Sequence, residues 1–214
     1  MGLKTILITG FEPFGGGKVN PSEEIARQLN GQIIGGHEVA GRILPCVFGA
    51  ANLEMRTLLR TVDPALVIAV GQAGGRSSIT PERIAINVDD ARIPDNAGRR
   101  PVDVAVVARG PAAYWSTLPI KSIVEEMRSR KIPAAVSQTA GTFVCNHVFY
   151  GLMHTLRARR SIRAGFIHVP FLPAQASKGQ PSLPLETMIE AIALAAEISL
   201  RTRRDLRISG GQLA

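Results

Sequence analysis

Cysteine is scarce: only Cys46 and Cys145 occur among the 214 residues. Without an export signal, two cysteines argue against a disulfide framework. Histidine is scarce too, and His37, His147, His154 and His168 form no close-spaced ligand pattern with the cysteines, so no metal site is predicted. No apolar run approaches the roughly 18 residues needed to span a membrane. The first hydrophobic stretch, residues 6–8, is far shorter than a signal-peptide core of about 7–15 residues. These absences predict a cytoplasmic chain with no membrane partner, metal or cofactor.

Positive charge is what the chain has in excess, with 25 Lys and Arg against 17 Asp and Glu and a formal charge of +8. Much of it sits in Arg157, Arg159, Arg160 and Arg163, then in Arg201, Arg203, Arg204 and Arg207. Both clusters fall at the ends of predicted helices, where the helix dipole favours cations. No aromatic residue is interleaved to supply a stacking platform for single-stranded nucleic acid. Solvated helix ends account for the charge, and no nucleic-acid partner is predicted.

Hydrophobic residues make up 45% and charged residues 20%, the balance of an ordinary globular domain. A chain of this length forms a single domain that buries roughly 70% of its unfolded surface. Short apolar runs alternate with amphipathic stretches throughout, which predicts an α/β fold. Strands are expected at 5–9, 39–45, 66–70, 83–87, 134–137 and 164–169. Helices are expected at 22–29, 50–61, 120–130, 145–157 and 185–200. In the last helix Leu185, Met188, Ile189, Ile192, Ala193, Ala196 and Leu200 line one side at helical period. Pro21 suits a helix start, and Pro64 and Pro133 precede strands. Neither a repeat nor a long linker divides residues 1–214, so one layered domain is expected, with about ten terminal residues as a disordered tail. Residues 93–111, with scattered Pro, Gly and Asp, read as a surface excursion.

Two glycine-rich loops follow strands. In Gly10-Phe11-Glu12-Pro13-Phe14-Gly15-Gly16-Gly17-Lys18 the phosphate-loop spacing fails, because Glu12 stands where the first glycine belongs and Val19 follows Lys18. The dinucleotide spacing begun at Gly15 fails as well, since its third glycine falls at Asn20. Phe11 and Phe14 suit an apolar ring better than an anion, or else they anchor the loop on the core. The second loop, Gly71-Gln72-Ala73-Gly74-Gly75-Arg76, lies at a strand C-terminus, where open α/β sheets place ligands. Tight-turn geometry explains its glycines equally well.

Cys145 is predicted at a helix N-terminus, facing orphan N–H groups and the positive end of the dipole, both of which favour thiolate. The same N–H groups suit a developing oxyanion. Cys46, inside an apolar run, reads as inert. A thiolate nucleophile needs a histidine. His147 is two positions along the helix and points to the other side, and His154 is about two and a half turns away. His168 ends a strand at the sheet edge where Cys145 is also expected. A carboxylate that fixes the ring tautomer would come from Glu82, Asp89, Asp90 or Asp95, and spacing does not choose among them.

These motifs together resemble the pyroglutamyl peptidase I family, the pyrrolidone-carboxylate cysteine peptidases. The similarity covers most of the chain. It includes Thr9-Gly10-Phe11-Glu12-Pro13-Phe14-Gly15-Gly16, Asn20-Pro21-Ser22 and Gly71-Gln72-Ala73-Gly74-Gly75-Arg76. It continues through Ile79, Thr80, Glu82, Arg83, Ile84, Ala85 and Asn87, then Ala140-Gly141-Thr142-Phe143-Val144-Cys145-Asn146 and Phe166-Ile167-His168-Val169-Pro170. The resemblance implies an α/β/α sandwich with a mixed, mostly parallel twisted sheet, commonly assembled as a homotetramer. It implies a Cys145–His168–Glu82 triad acting on small peptides that begin with pyroglutamate. It also implies a lactam pocket from Phe11, Phe14, Phe143 and Val144 with Ile93 near it, backbone around Gln72 reading the polar edge, and Arg92 beside the reacting carbonyl. Cys46 departs from a frequent threonine and Thr139 from a frequent serine. A glutaminase-like thiol amidase is the alternative from the same chemistry.

Overall fold

The computed structural model describes residues 3–211. Three strands form its centre: β1 (Thr5–Phe11), β4 (Leu66–Gln72) and β8 (Arg163–Val169). Each is an almost continuous apolar run buried on both faces, the pattern of a parallel strand covered by helices. The six-stranded sheet runs β2-β3-β1-β4-β8-β5, where β2 is Ile33–Ile34, β3 is His37–Leu44 and β5 is Thr80–Pro81. β3, β1, β4 and β8 are mutually parallel, and the short edge strands β2 and β5 are antiparallel to their neighbours.

Side chains alternate along each strand, so each strand feeds two cores. Ile6, Ile8, Leu66, Ile68, Val70, Ile167 and Val169 face one layer, formed by α1 (Pro21–Leu29), α3 (Ile120–Ser129) and α5 (Leu185–Arg201). Leu7, Val67, Ala69, Ala164 and Phe166 face the other, formed by α2 (Ala50–Thr61) and α4 (Val144–Leu156). The result is the expected three-layer sandwich. α4 is buried on nearly every side, as its apolar sequence requires.

Asn20-Pro21-Ser22 fixes the end of β1. Asn20 caps α1 by accepting from Ser22 N at 3.1 Å, and Pro21 takes the first helical position, where its missing N–H costs nothing. Ser22 Oγ accepts from Phe11 N at 3.0 Å, tying strand to helix. Gly10 permits this approach, since a Cβ there would lie 2.0 Å from Ser22 O.

Two predicted strands end up elsewhere. Within 83–87, β6 (Ile84–Ile86) leaves the main sheet and pairs with β7 (Ala113–Trp115) in a separate two-stranded sheet. Residues 134–137 run beside 79–82 but form only the isolated bridges Ile79–Ala134 and Glu82–Ser137. Pro81 is the physical reason. The bonds Ala135 N to Ile79 O, Ser137 N to Pro81 O and Arg83 N to Ser137 O all form, and the rung that Pro81 would donate is missing. The 93–111 excursion is irregular as expected, but Asp95 is buried within it and accepts from the backbone N–H groups of Phe48, Ala97 and Arg99.

Two of the clustered arginines serve helix ends. Arg163 reaches the carbonyls of Ser199, Thr202 and Arg203 at the end of α5, and Arg157 bonds His154 O at the end of α4. Beyond α5, Asp205 accepts from Lys121 N and Ser122 N at the start of α3, and Gly210 O accepts from Arg83 and Gln138. Residues 212–214 of the predicted tail lie outside the described residues. Among the described residues no helix is long and apolar enough to cross a membrane.

Candidate active site

The strand alternation that builds the α4-side core also selects what meets α4 at the sheet's C-terminal edge. Following Val67 and Ala69, the next residue of β4 on this face is Gly71. Following Ala164 and Phe166 on β8, the next is His168. Gly71 and His168 are register partners on adjacent strands. Cys145, the second residue of α4, places its sulfur over Gly71, where a Cβ would stand only 2.8 Å away. Thiol and imidazole are thus brought to neighbouring strand ends. No hydrogen bond joins them among the described residues.

His168 is almost fully buried and its Nδ1 lies 2.7 Å from Glu82 Oε1. A carboxylate accepts only, so Nδ1 carries the proton and the neutral ring presents a lone pair on Nε2. Glu82 comes from just beyond the edge strand β5. Thr80 is the antiparallel partner of His168, and Glu82, two residues on, returns to the same face. Glu82 N donates to Phe166 O at 2.9 Å, which fixes the carboxylate arm beside the ring. Arg76 Nη1 lies 2.7 Å from the same Oε1.

Electrostatics set this cluster's resting state. Burial pushes the Cys145 thiol up, reinforced by Cys46 and Glu82 and opposed by Arg76. Burial pushes His168 down, opposed by its bond and charge interaction with Glu82. Both directions favour a neutral thiol beside a neutral imidazole. The helix N-terminus acts the other way. No side chain caps α4, and its first internal bond is His147 N to Phe143 O at 3.1 Å. The N–H groups of Val144, Cys145 and Asn146 precede that bond and face the start of the helix.

The other candidates are committed elsewhere. His147 Nδ1 is 2.8 Å from Asp89 Oδ2 and its Nε2 accepts from Gly49 N at 2.9 Å, which takes up both its ring and Asp89. Asp95 is occupied with backbone donors, and the exposed Asp90 touches the site through its backbone, exchanging bonds with Thr142. His154 bonds Tyr114, and His37 bonds Gly35 O. Of the four carboxylates that spacing left open, only Glu82 contacts His168.

Phe14, Phe143 and Cys145 all pack against the core on the α2–α4 side of the sheet. Phe14 and Phe143 lie with ring centroids 5.9 Å apart, and Phe48 stands edge-on to Phe143 at 5.3 Å. Phe11 and Val144 are buried in that core, Phe11 against Phe166. Ile93 is exposed and reaches the Phe14 loop, its Cδ1 within 3.4 Å of a Cβ position on Gly15. Gln72 Oε1 accepts from Gln175 at 2.9 Å, and its amide donor has no partner among the described residues. Arg92 is exposed, two residues beyond the Asp90–Thr142 link, and forms no hydrogen bond among the described residues. Phe48, Arg76, Asn146 and Gln175 also belong to this region and were not picked out by sequence. Asn146 ties α4 to the β6 arm, accepting from Ile86 N and donating to the carbonyls of Ile86 and Val88. Only Arg76 and Asn146 lay inside recognisable motifs; Phe48 and Gln175 carry no local signal.

A three-layer α/β fold with a thiol, an imidazole and a buried carboxylate meeting at its strand ends defines a cysteine hydrolase of the α/β class. Comparison with known proteins narrows the class. Residues 4–202 match the family model described as pyroglutamyl peptidase. The pyrrolidone-carboxylate peptidase of Cupriavidus taiwanensis is 58% identical, over 99% of this chain and 100% of its own length. That of Chromobacterium violaceum is also 58% identical, with the same coverage. Among solved structures, pyroglutamyl peptidase I from Bacillus amyloliquefaciens superposes with a TM-score of 0.94 at 48% identity, covering 97% of this chain and 100% of that one. Pyrrolidone carboxyl peptidase from Thermococcus litoralis gives 0.93 at 42%, with the same coverage. The chain belongs to the pyroglutamyl peptidase family, cysteine peptidases that remove an N-terminal pyroglutamyl residue. These relatives favour that activity over the glutaminase-like alternative.

Proposed function

We propose that Cys145 is the nucleophile, His168 the general base and Glu82 its orienter in hydrolysis of the bond after an N-terminal pyroglutamyl residue. The observation that carries this assignment is the Cys145 sulfur over Gly71, beside a His168 ring held at 2.7 Å by Glu82. Nε2 of His168 takes the thiol proton as sulfur attacks the pyroglutamyl carbonyl. The carbonyl oxygen becomes an oxyanion, received by the N–H groups at the uncapped start of α4. The imidazolium, stabilised by Glu82, then protonates the leaving amine as the C–N bond breaks. Water, deprotonated by His168, attacks the thioester, and pyroglutamate leaves as Cys145 regains its proton.

The pocket follows from the substrate's chemistry. A lactam has no ammonium, so recognition needs an apolar slot with a few polar groups rather than a carboxylate. Phe11, Phe14, Phe143 and Val144, with Ile93 at the rim, supply the slot. Backbone groups around Gln72 supply the polar edge, and Arg92 approaches the reacting carbonyl when peptide is bound. Peptides beginning with pyroglutamate are the partners in this reading. It also includes a single domain, on the unbroken strand–helix alternation, a cytoplasmic location, on the short apolar runs, and assembly as a homotetramer, on the family resemblance.

The test is fluorophore release from L-pyroglutamyl-aminocoumarin under reducing conditions, with glutaminyl and prolyl analogues as controls. Selective release that iodoacetamide abolishes is expected. Release from the glutaminyl compound alone would overturn the specificity, and full activity of Cys145→Ala would remove that residue as nucleophile.

A further inference from the structure

Arg76 takes no part in the chemistry above, yet its guanidinium touches both arms of the site. Nη1 donates to Glu82 Oε1 at 2.7 Å and to Thr80 Oγ1 at 2.6 Å, while Nη2 donates to Thr139 O at 3.1 Å. Thr80 lies on the edge strand and Glu82 just beyond it, beside His168. Thr139 opens the loop that leads into α4, and its Oγ1 accepts from Gly141 N at 3.0 Å. A planar fork with several fixed donors can bridge such acceptors, whereas a single ammonium cannot.

Glu82 needs this help. It is fully buried, its Oε1 receives both His168 and Arg76, and its Oε2 has no partner among the described residues. A neutral imidazole alone would leave a buried carboxylate poorly compensated. The guanidinium offsets that desolvation and fixes which oxygen faces the ring.

We infer that Arg76 is a positioning residue: it seats the Glu82 carboxylate against His168 and tethers the Thr139 loop that delivers Cys145. The inference rests on the catalytic assignment proposed above. The charged and titratable neighbours involved are few. His168 senses Glu82 and Arg76; Cys145 senses Cys46, Glu82 and Arg76. On its solvent side Arg76 shares the wall of a cavity of about 570 Å³ with Lys121, Glu125 and Arg128. The Arg76 charge draws both His168 and Cys145 downward. Its removal therefore moves both limbs of the pH profile to higher pH, which a merely structural residue would not do.

The experiment compares full-length wild type, Arg76→Met, Arg76→Lys and Cys145→Ala. Turnover of pyroglutamyl-aminocoumarin is measured across pH, and iodoacetamide labelling is mapped by peptide mass to separate Cys145 from Cys46. Arg76→Met should lose at least about tenfold in kcat, short of the ~10⁴-fold loss typical of a triad carboxylate, with KM little changed. Both pH limbs, and the pH dependence of Cys145 labelling, should move upward. Arg76→Lys should restore the limbs while kcat stays intermediate. Wild-type limbs and kcat in Arg76→Met, beside an inactive Cys145→Ala, would overturn the inference and leave the assignment standing. Full activity of Cys145→Ala would remove the assignment and the inference together. Should Arg76→Met fail to fold, Arg76→Lys decides: wild-type kcat overturns the inference, and a several-fold loss at constant KM supports it.

Discussion

Gly71 and Cys145 share a space that admits one side chain: a Cβ on Gly71 would stand 2.8 Å from Cys145 Sγ and 2.7 Å from the Phe166 ring. Gly71 is also the register partner of His168. The missing side chain on β4 is therefore what allows a helix-borne thiol to settle beside an imidazole on β8. The first glycine of the Gly71–Arg76 loop, which tight-turn geometry alone would explain, serves to make room for sulfur.

Substituting Gly71 should consequently injure chemistry more than folding. Gly71→Ala must displace the sulfur, the Phe166 ring or both, and overpacking of this kind costs about 1–3 kcal/mol. Denaturant melts should register that loss, while kcat falls by at least about a hundredfold, because small misplacements of reacting atoms are that costly. A variant destabilised by this amount but of normal turnover would show that the thiol has freedom this packing denies it.

Glu82→Gln should leave a folded protein that turns over about 10³–10⁴-fold more slowly. The amide can offer its NH₂ to the ring in place of an acceptor, which favours the wrong tautomer, and it cannot stabilise the imidazolium. Circular dichroism and steady-state kinetics are sufficient to check it. Wild-type turnover would remove Glu82 from the mechanism.

The sheet was legible in the sequence because β1, β4 and β8 are apolar runs with turn signals at both ends; that Gly71 and His168 share a face is set by the β4–β8 register, which no single run carries. The choice of Glu82 was not legible from spacing. It is made by β5, a two-residue strand with no periodicity of its own, whose antiparallel pairing with β8 is a purely tertiary event. Family resemblance pointed to Glu82 where pattern stopped. The strands expected at 83–87 and 134–137 failed as main-sheet members for related reasons. Pro81 breaks the ladder to 134–137, and the chain after Glu82 turns away to pair with β7. The Arg76–Glu82 contact lies between residues six apart in irregular structure, where no helical or strand period applies.

The pH dependence of activity and of stability should diverge. His168 is held below its ordinary value of about 6.5, so the acid limb of kcat/KM should fall below that pH. A lowered folded value means the unfolded chain binds the proton more readily. The resulting stability is complete above about pH 6.5 and is lost as pH falls toward the folded value. The thiols behave oppositely. Cys145 is raised and Cys46 is pushed up to about 12, chiefly by burial, so their contribution is complete below about pH 8.5 and is lost as pH rises beyond it. Thermal melts from pH 5 to 10 should decline at both ends, and Cys46→Thr should flatten the alkaline decline. An alkaline decline unchanged by that substitution would show that Cys46 is not one of its causes.

The segment after α5 offers a prediction that separates fold from function. α3 begins after Pro119, with no local side-chain cap. Its cap comes from 84 residues downstream in sequence: Asp205 Oδ2 accepts from Lys121 N at 3.1 Å, and Oδ1 accepts from Ser122 N and Ser122 Oγ at 2.8 Å. A carboxylate here satisfies orphan donors and meets the positive end of the helix dipole. Asp205→Ala should therefore cost about 0.5–2 kcal/mol, and Asp205→Asn should recover most of the hydrogen-bonding part. Ser122→Ala, which removes only the hydroxyl bond, should cost less than either the full cap or its dipole interaction. Because α3 packs on the face opposite Cys145, kcat and KM should stay at wild-type values for all three at temperatures where they remain folded. Equilibrium melts and kinetics on the same samples decide the matter. A loss of kcat without a loss of stability would mean that the Asp205–α3 junction is coupled to the site, through the 134–138 edge that Gly210 touches, rather than acting as a cap alone.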